Sequence, residues 1–232
     1  MQKLQHCRGT CKYIRMHYSH RDCSSVATQK VIVPCVSGLL NDAESVIRQH
    51  VAAQLLPIAV TCMIPNVEVE KVLEDPSIIT SYDKVGYQLV KNSILQNSLA
   101  QLLSDSELEV RRAAADSFSG ISLLIKPEDV REFCLPIPLR LANLKIKNPS
   151  AGSKRTEEEA RIEELKITAI NLLAEMAGAA SEHDNLQKHA GSWVNEVIGI
   201  INNLAESTSF RVRRAVAQAM PRLLSAAATN QS

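Results

Sequence analysis

A chain of 232 residues is long enough for one large domain or a short array of repeats, and with 45% hydrophobic and 22% charged residues it has the composition of a soluble globular protein. Aromatic residues make up only 3%, which favours helices packed through small and aliphatic side chains over an aromatic-rich β core. A formal net charge of +1 gives no global electrostatic case for nucleic acid, no stretch approaches the roughly 20 apolar residues of a membrane span, and the N-terminus lacks the apolar core of a secretory signal.

Residues 1–30 form a basic lead-in, with Lys3, Arg8, Lys12, Arg15, Arg21 and Lys30 against one acid, Asp22. Cys7, Cys11, His17, His20 and Cys23 supply enough ligands for zinc, but their spacing fits no known finger and the segment has no apolar framework to order them. A cleaved organelle-targeting peptide is a second alternative. The preferred reading is an irregular lead-in with no metal. The other cysteines, Cys35, Cys62 and Cys134, complete no disulfide framework, so reduced thiols and a cytoplasmic or nuclear location are expected.

From residue 31 onward, apolar helices alternate with helices of one recurring pattern. The first helices of each pair are predicted at 31–40, 94–103, 130–144 and 193–204. The second helices carry a basic residue at a fixed place: Arg48, Arg111, Lys166 and Arg213. Taking that residue as zero, position −1 is Ile47, Val110, Leu165 and Val212. Position +3 is Val51, Ala114, Ala169 and Val216. Position +7 is Leu55, Phe118, Leu173 and Met220, and position +10 is Ile58, Ile121, Met176 and Leu223. Steps of four, four and three residues place all of them on one helix face. Position +4 (Ala52, Ala115, Ile170, Ala217) widens the stripe with mostly small residues.

Short polar turns join three of the pairs: Asn41-Asp42-Ala43-Glu44, Ser104-Asp105-Ser106-Glu107 and Glu206-Ser207-Thr208-Ser209. Their Asp, Ser and Asn side chains suit helix capping, and Glu44, Glu107 and Glu109 suit the positive end of the helix dipole. The zero positions lie 63, 55 and 47 residues apart, at or above the roughly 40–47 residues of a HEAT or armadillo unit. Insertions near 61–86 and 145–156 account for the excess, the second read as an exposed basic loop inside the third pair. The array therefore spans 31–228, with 229–232 as a tail. The fold expected is all-α, an armadillo-like α-α superhelix or solenoid.

The pattern Asp-x-x-x-x-(Val/Ile)-Arg followed by an Ala-rich helix resembles the HEAT repeat. Residues Asn41 to Arg48, running into Gln54-Leu55-Leu56-Pro57-Ile58-Ala59, resemble the HEAT-repeat scaffold and regulatory subunits of protein phosphatases of the 2A/4 type, and those of phosphatase 4 above all. Cys134-Leu135-Pro136-Ile137-Pro138-Leu139 is similar to the start of a first helix in that group. The likeness covers roughly 31–228, with fewer units than the family has and two long insertions.

The resemblance implies a non-catalytic protein-binding scaffold, with the catalytic subunit of a serine/threonine phosphatase and other regulatory subunits as partners. It places partner contacts on the turns, at Asn41, Asp42, Glu44, Ser104, Asp105, Glu107, Ser207 and Ser209. Arg48, Arg111, Lys166 and Arg213 are expected instead to ladder each unit to turn carboxylates of its neighbour. The alternatives are a nuclear-transport or chromosome-associated HEAT adaptor and a nucleic-acid-binding repeat protein using Arg111-Arg112 and Arg213-Arg214.

No enzymatic motif competes. There is neither a Gly-rich phosphate loop nor a Gly-x-Ser-x-Gly, and no cofactor or small-molecule substrate is implied. His183 and His189, flanking Asp184, are read as helix-end residues. Trp193, in register with Val194, Val197 and Ile201, is read as core.

Overall fold

The computed structural model describes residues 33–64, 67–75, 78–145, 153–182 and 184–229. Every regular element among them is helical, so the all-α expectation holds for the described residues. The chain forms two compact units, Met1–Leu102 with Glu107–Ser117, and Leu103–Ser106 with Phe118–Ser232.

The first unit holds α1 (Val33–Leu39), α2 (Ser45–Met63), α3 (Val69–Glu74), α4 (residues 84–102) and the first part of α5 (Leu108–Leu124). Helix α2 packs against α1, α3 and α4. Its Ala52, Leu55, Ile58 and Ala59 are buried, as are Val90, Ile94, Leu95 and Leu99 of α4. The Ser117 hydroxyl of α5 donates to the Ala52 carbonyl at 2.6 Å, a buried bond that ties the second copy of the pattern to the first.

Helix α4 begins as an α-helix at Lys84–Leu89, widens to a π-helix over Val90–Leu99 and closes as Ala100–Leu102. Side chains follow the wider repeat, with Asn97 Nδ2 donating to the Asn92 carbonyl and the Ser98 hydroxyl to that of Ser93, five residues back in each case. Lys91 is buried here, its ammonium 5.0 Å from the centre of the Tyr87 ring. That placement over a π face offsets part of the desolvation of the charge. Tyr82 meets Tyr87 edge-on at 5.0 Å.

The second unit holds the end of α5, then α6 (residues 127–142), α7 (Ser153–Glu182), α8 (Asp184–Ala205) and α9 (Phe210–Thr229). Consecutive helices α6 to α9 pack in sequence. In addition α7 packs on α9 and α6 on α8, so alternate helices share a layer. Leu165, Ala169 and Leu173 of α7, Trp193, Val197 and Ile201 of α8, and Val212, Val216 and Leu223 of α9 form its core. Trp193 is thus a core residue, as its register indicates.

The sixteen stripe positions −1, +3, +7 and +10 are buried except Ile47 and Met220, which are half-buried. Position +4 differs: Ala52 and Ile170 are buried, Ala115 is half-buried and Ala217 is exposed.

Three boundaries depart from the sequence reading. Helix α4 starts at Lys84, about ten residues before the predicted first helix, and the segment read as an insertion also contains the end of α2 and all of α3. Helix α7 runs unbroken through Lys166, so the third copy has no turn six residues before its basic residue. Residues 153–156, read as loop, already belong to α7, while 146–152 lie outside the described residues. Finally, α2 reaches 19 residues at a mean hydropathy of 1.2, long and apolar enough to cross a membrane by composition, where none was expected. Its Val51, Ala52, Leu55, Ile58 and Ala59 are buried, it packs on α4, and it carries Arg48 and His50 in its first two turns.

Candidate protein-binding turns

The turns are built by a short, repeated set of hydrogen bonds. A helix begins with N–H groups that lack partners inside the helix, and the residue before its first turn must supply acceptors. In all three turns the residue at position −4 (Glu44, Glu107 or Ser209) stands just before the helix and receives its first regular backbone bond. Its carbonyl accepts from the N–H of Arg48, Arg111 or Arg213 at 3.3, 3.2 and 3.2 Å.

The residue at −6 then braces the turn from upstream. The Asp42 carboxylate accepts from the Glu44 N–H at 2.9 Å, and the Ser207 hydroxyl from the Ser209 N–H at 3.2 Å. Neither bond caps the helix directly. Each closes a two-residue side-chain turn that fixes the entry of the helix.

The basic residue completes the arrangement by reaching back. Arg48 Nη1 donates to the carbonyls of Asp42 at 2.7 Å and Ala43 at 3.3 Å. Arg213 Nη1 donates to the equivalent carbonyls of Ser207 at 2.7 Å and Thr208 at 3.0 Å. The ladder to a neighbour's carboxylate expected for Arg213 is therefore replaced by a staple within its own turn. The physical reason is geometric. A carbonyl pair six and five residues upstream sits within reach of a planar guanidinium in the first turn of the same helix. Lys166, inside α7, has no such turn to close. Arg111 is 2% exposed, buried more deeply than any other member of the set.

Links between successive copies exist, but other residues make them. In the first unit Gln101 Nε2 donates to the Leu40 carbonyl at 3.4 Å and to Asn41 Oδ1 at 2.7 Å. In the second, Arg161 Nη2 donates to the Ser104 carbonyl at 2.7 Å. Both acceptor carbonyls stand just past the end of a first helix, where C-terminal carbonyls lack intrahelical donors. Arg211 adds an ion pair to Glu164 at 3.7 Å between α9 and α7, and Arg131 one to Glu196 at 3.6 Å between α6 and α8. Neither Gln101 nor Arg161 stands out in the sequence, because one donor on a polar helix face looks like any other.

Of the eight turn residues, Asn41, Glu44 and Glu107 are exposed. Asp42, Ser104, Asp105, Ser207 and Ser209 are half-buried and in part committed to the turn itself. Asn41, Asp42, Glu44 and Glu107 belong to the first unit, Ser104, Asp105, Ser207 and Ser209 to the second. Each turn also carries an exposed apolar residue beside it at the helix start, Val46, Leu108 or Phe210, which the stripe analysis passes over.

Among the described residues no group of three or more His, Cys, Asp or Glu side chains could hold a metal. Cys7, Cys11, His17, His20, Cys23 and His183 lie outside the described residues, as does the side chain of His189. Cys134 is buried in α6. Desolvation, with Asp129 adding its negative field, pushes the thiol up to about 12, so it is no nucleophile at neutral pH.

No protein-family model and no curated protein matches the chain.

Proposed function

We propose that the chain is a non-catalytic HEAT-type helical-repeat scaffold, a regulatory subunit of a serine/threonine phosphatase complex of the 2A/4 type. The catalytic subunit and other regulatory subunits are its partners. The observation that carries the reading is the turn geometry. Residue −6 braces residue −4, and the Arg at zero staples the turn, in the first copy and again in the last. Such a turn is held at several points of its backbone yet leaves Asn41 and Glu44 exposed to a partner, and Glu107 is exposed in the second turn. Rigid elements presenting exposed polar groups suit recognition, since little ordering is lost on binding. Bending of the array would set how the held enzyme meets its substrates.

The nucleic-acid alternative draws less support. Arg111 is buried, Arg112 pairs with Glu109 at 2.8 Å, and Arg213 is engaged by its own turn. Affinity purification of the tagged chain from cell extract tests the proposal. A 2A/4-type catalytic subunit should co-purify, and the double variant Glu44→Lys/Glu107→Lys should lose it while keeping its helicity. Recovery of transport or chromosome proteins with no phosphatase would overturn the reading.

A further inference from the structure

Helix α9 carries two apolar stripes. One, including Val212, Val216, Ala219 and Leu223, is buried against α7 and α8. The other runs along the opposite side as Phe210, Arg214, Ala217, Pro221, Leu224 and Ala228, in steps of four, three, four, three and four residues. All six are exposed, Phe210 at 64% and Leu224 at 57%. A helix at the surface ordinarily turns polar residues outward. Here five of the six outward positions are apolar, at the spacing of a coiled-coil seam.

The charge carried by α9 itself has one sign. Helix α9 contains Arg211, Arg213, Arg214 and Arg222 and no acid. Arg211 and Arg213 have partners within the second unit, whereas Arg214 lies in the seam itself. Ala217, Pro221 and Ala228 are small beside Phe210 and Leu224, so the face offers two knobs with low ground between and beyond them to receive side chains from a facing helix. Pro221 also has no N–H to return to the Ala217 carbonyl, which leaves an acceptor at the middle of the seam.

We propose that the outer face of α9 docks an amphipathic helix of a partner protein whose apolar stripe is flanked by acidic residues. The seam from Phe210 to Ala228 is about 28 Å long at 1.5 Å per residue, enough for a partner helix of about five turns. Two copies of this face would set arginine against arginine, which disfavours self-pairing. A lipid surface would leave that low ground unfilled. The seam begins beside the third turn at Phe210 but runs the length of α9, and it would stand whichever protein the turns hold.

The test uses the full chain and two labelled 20-residue peptides with leucine at a and d, one with Glu and one with Lys at e and g. Fluorescence anisotropy should show the Glu peptide binding at least tenfold more tightly than the Lys peptide. Leu224→Glu, at an exposed position, should abolish that binding while the melting curve stays that of the parent. Arg214→Glu should shift preference toward the Lys peptide. Equal binding of both peptides, undiminished binding by Leu224→Glu, dimerisation abolished by that same variant, or binding to anionic vesicles without peptide binding would each overturn the proposal.

Discussion

Gly86 lies so close to the carbonyl of Cys62 that a Cβ at position 86 would overlap its oxygen. This contact seats the first turn of α4 on the end of α2. Two bonds fix it: the Asp83 N–H donates to the Met63 carbonyl at 2.8 Å, and the Asp83 carboxylate accepts from the Gly86 N–H at 2.6 Å. The obstructing atoms are backbone and cannot rotate away. Gly86→Ala should therefore cost about 3 kcal/mol, even though alanine is the better helix former. Urea denaturation followed by circular dichroism measures it. A variant as stable as the parent would mean that α4 does not sit on α2 in this way.

The turn staples make a graded prediction. Arg48 is half-buried and Arg213 exposed. Arg48→Ala should cost about 1–2 kcal/mol, and Arg213→Ala less than about 1 kcal/mol because water competes for the carbonyls. Thermal melts at low and high salt separate a staple from an ion pair. Bonds to backbone carbonyls lose little in 0.5 M salt, whereas a carboxylate ladder would be screened.

Ala114 is fully buried at position +3 of α5. Ala114→Asp places a carboxylate there with no room for water and should cost several kcal/mol, on the order of 3 or more. Asp at the exposed Ala217 should be nearly neutral by comparison. Equal melting temperatures for the two variants would show the face to be misassigned.

Cys134 gives a pH signature. Its thiol is neutral in both states below pH 9.0, its ordinary value, and contributes nothing there. Above that value the unfolded chain releases the proton and the folded chain holds it, up to about 12. Stability should therefore fall as pH rises through this window, by on the order of 1 kcal/mol per pH unit. Cys134→Val should remove that slope, and the difference between the two chains isolates it from lysine and tyrosine titration. Iodoacetamide at pH 8 should label the exposed Cys35 and spare Cys62 and Cys134, as peptide mass mapping would show.

Much of the fold was legible because the stripe positions carry large aliphatic side chains at one helical register. Leu55, Phe118, Leu173 and Leu223 could face only a core. The turns were legible through their Asp, Ser and Glu residues, although Asp42 and Ser207 brace the turn rather than cap the helix. What escaped notice has physical reasons. The start of α4 was hidden because Lys84, Lys91, Asn92 and Ser93 look like loop, and nothing in a linear reading signals that Lys91 is buried against Tyr87. Ala217 was assigned to the core because alanine is equally at home on either side of a helix. The partner of Arg213 was misjudged because charge suggests a carboxylate, while a backbone carbonyl leaves no mark in a sequence. The third copy resembled the others by its stripe alone, and a stripe says nothing of whether a turn precedes it.

The staple draws donor and acceptors from one stretch of seven residues, Asp42 to Arg48 or Ser207 to Arg213. A gene segment encoding one hairpin therefore carries its own closure. Tandem duplication or excision of such a segment would keep the stapling guanidinium together with the carbonyls it holds. Growth or loss of copies would then be constrained by whether the flanking apolar faces match and by the few polar links between copies, such as Arg161 to the Ser104 carbonyl. A chain built this way can change length over evolution more readily than one whose arginines must find a carboxylate next door.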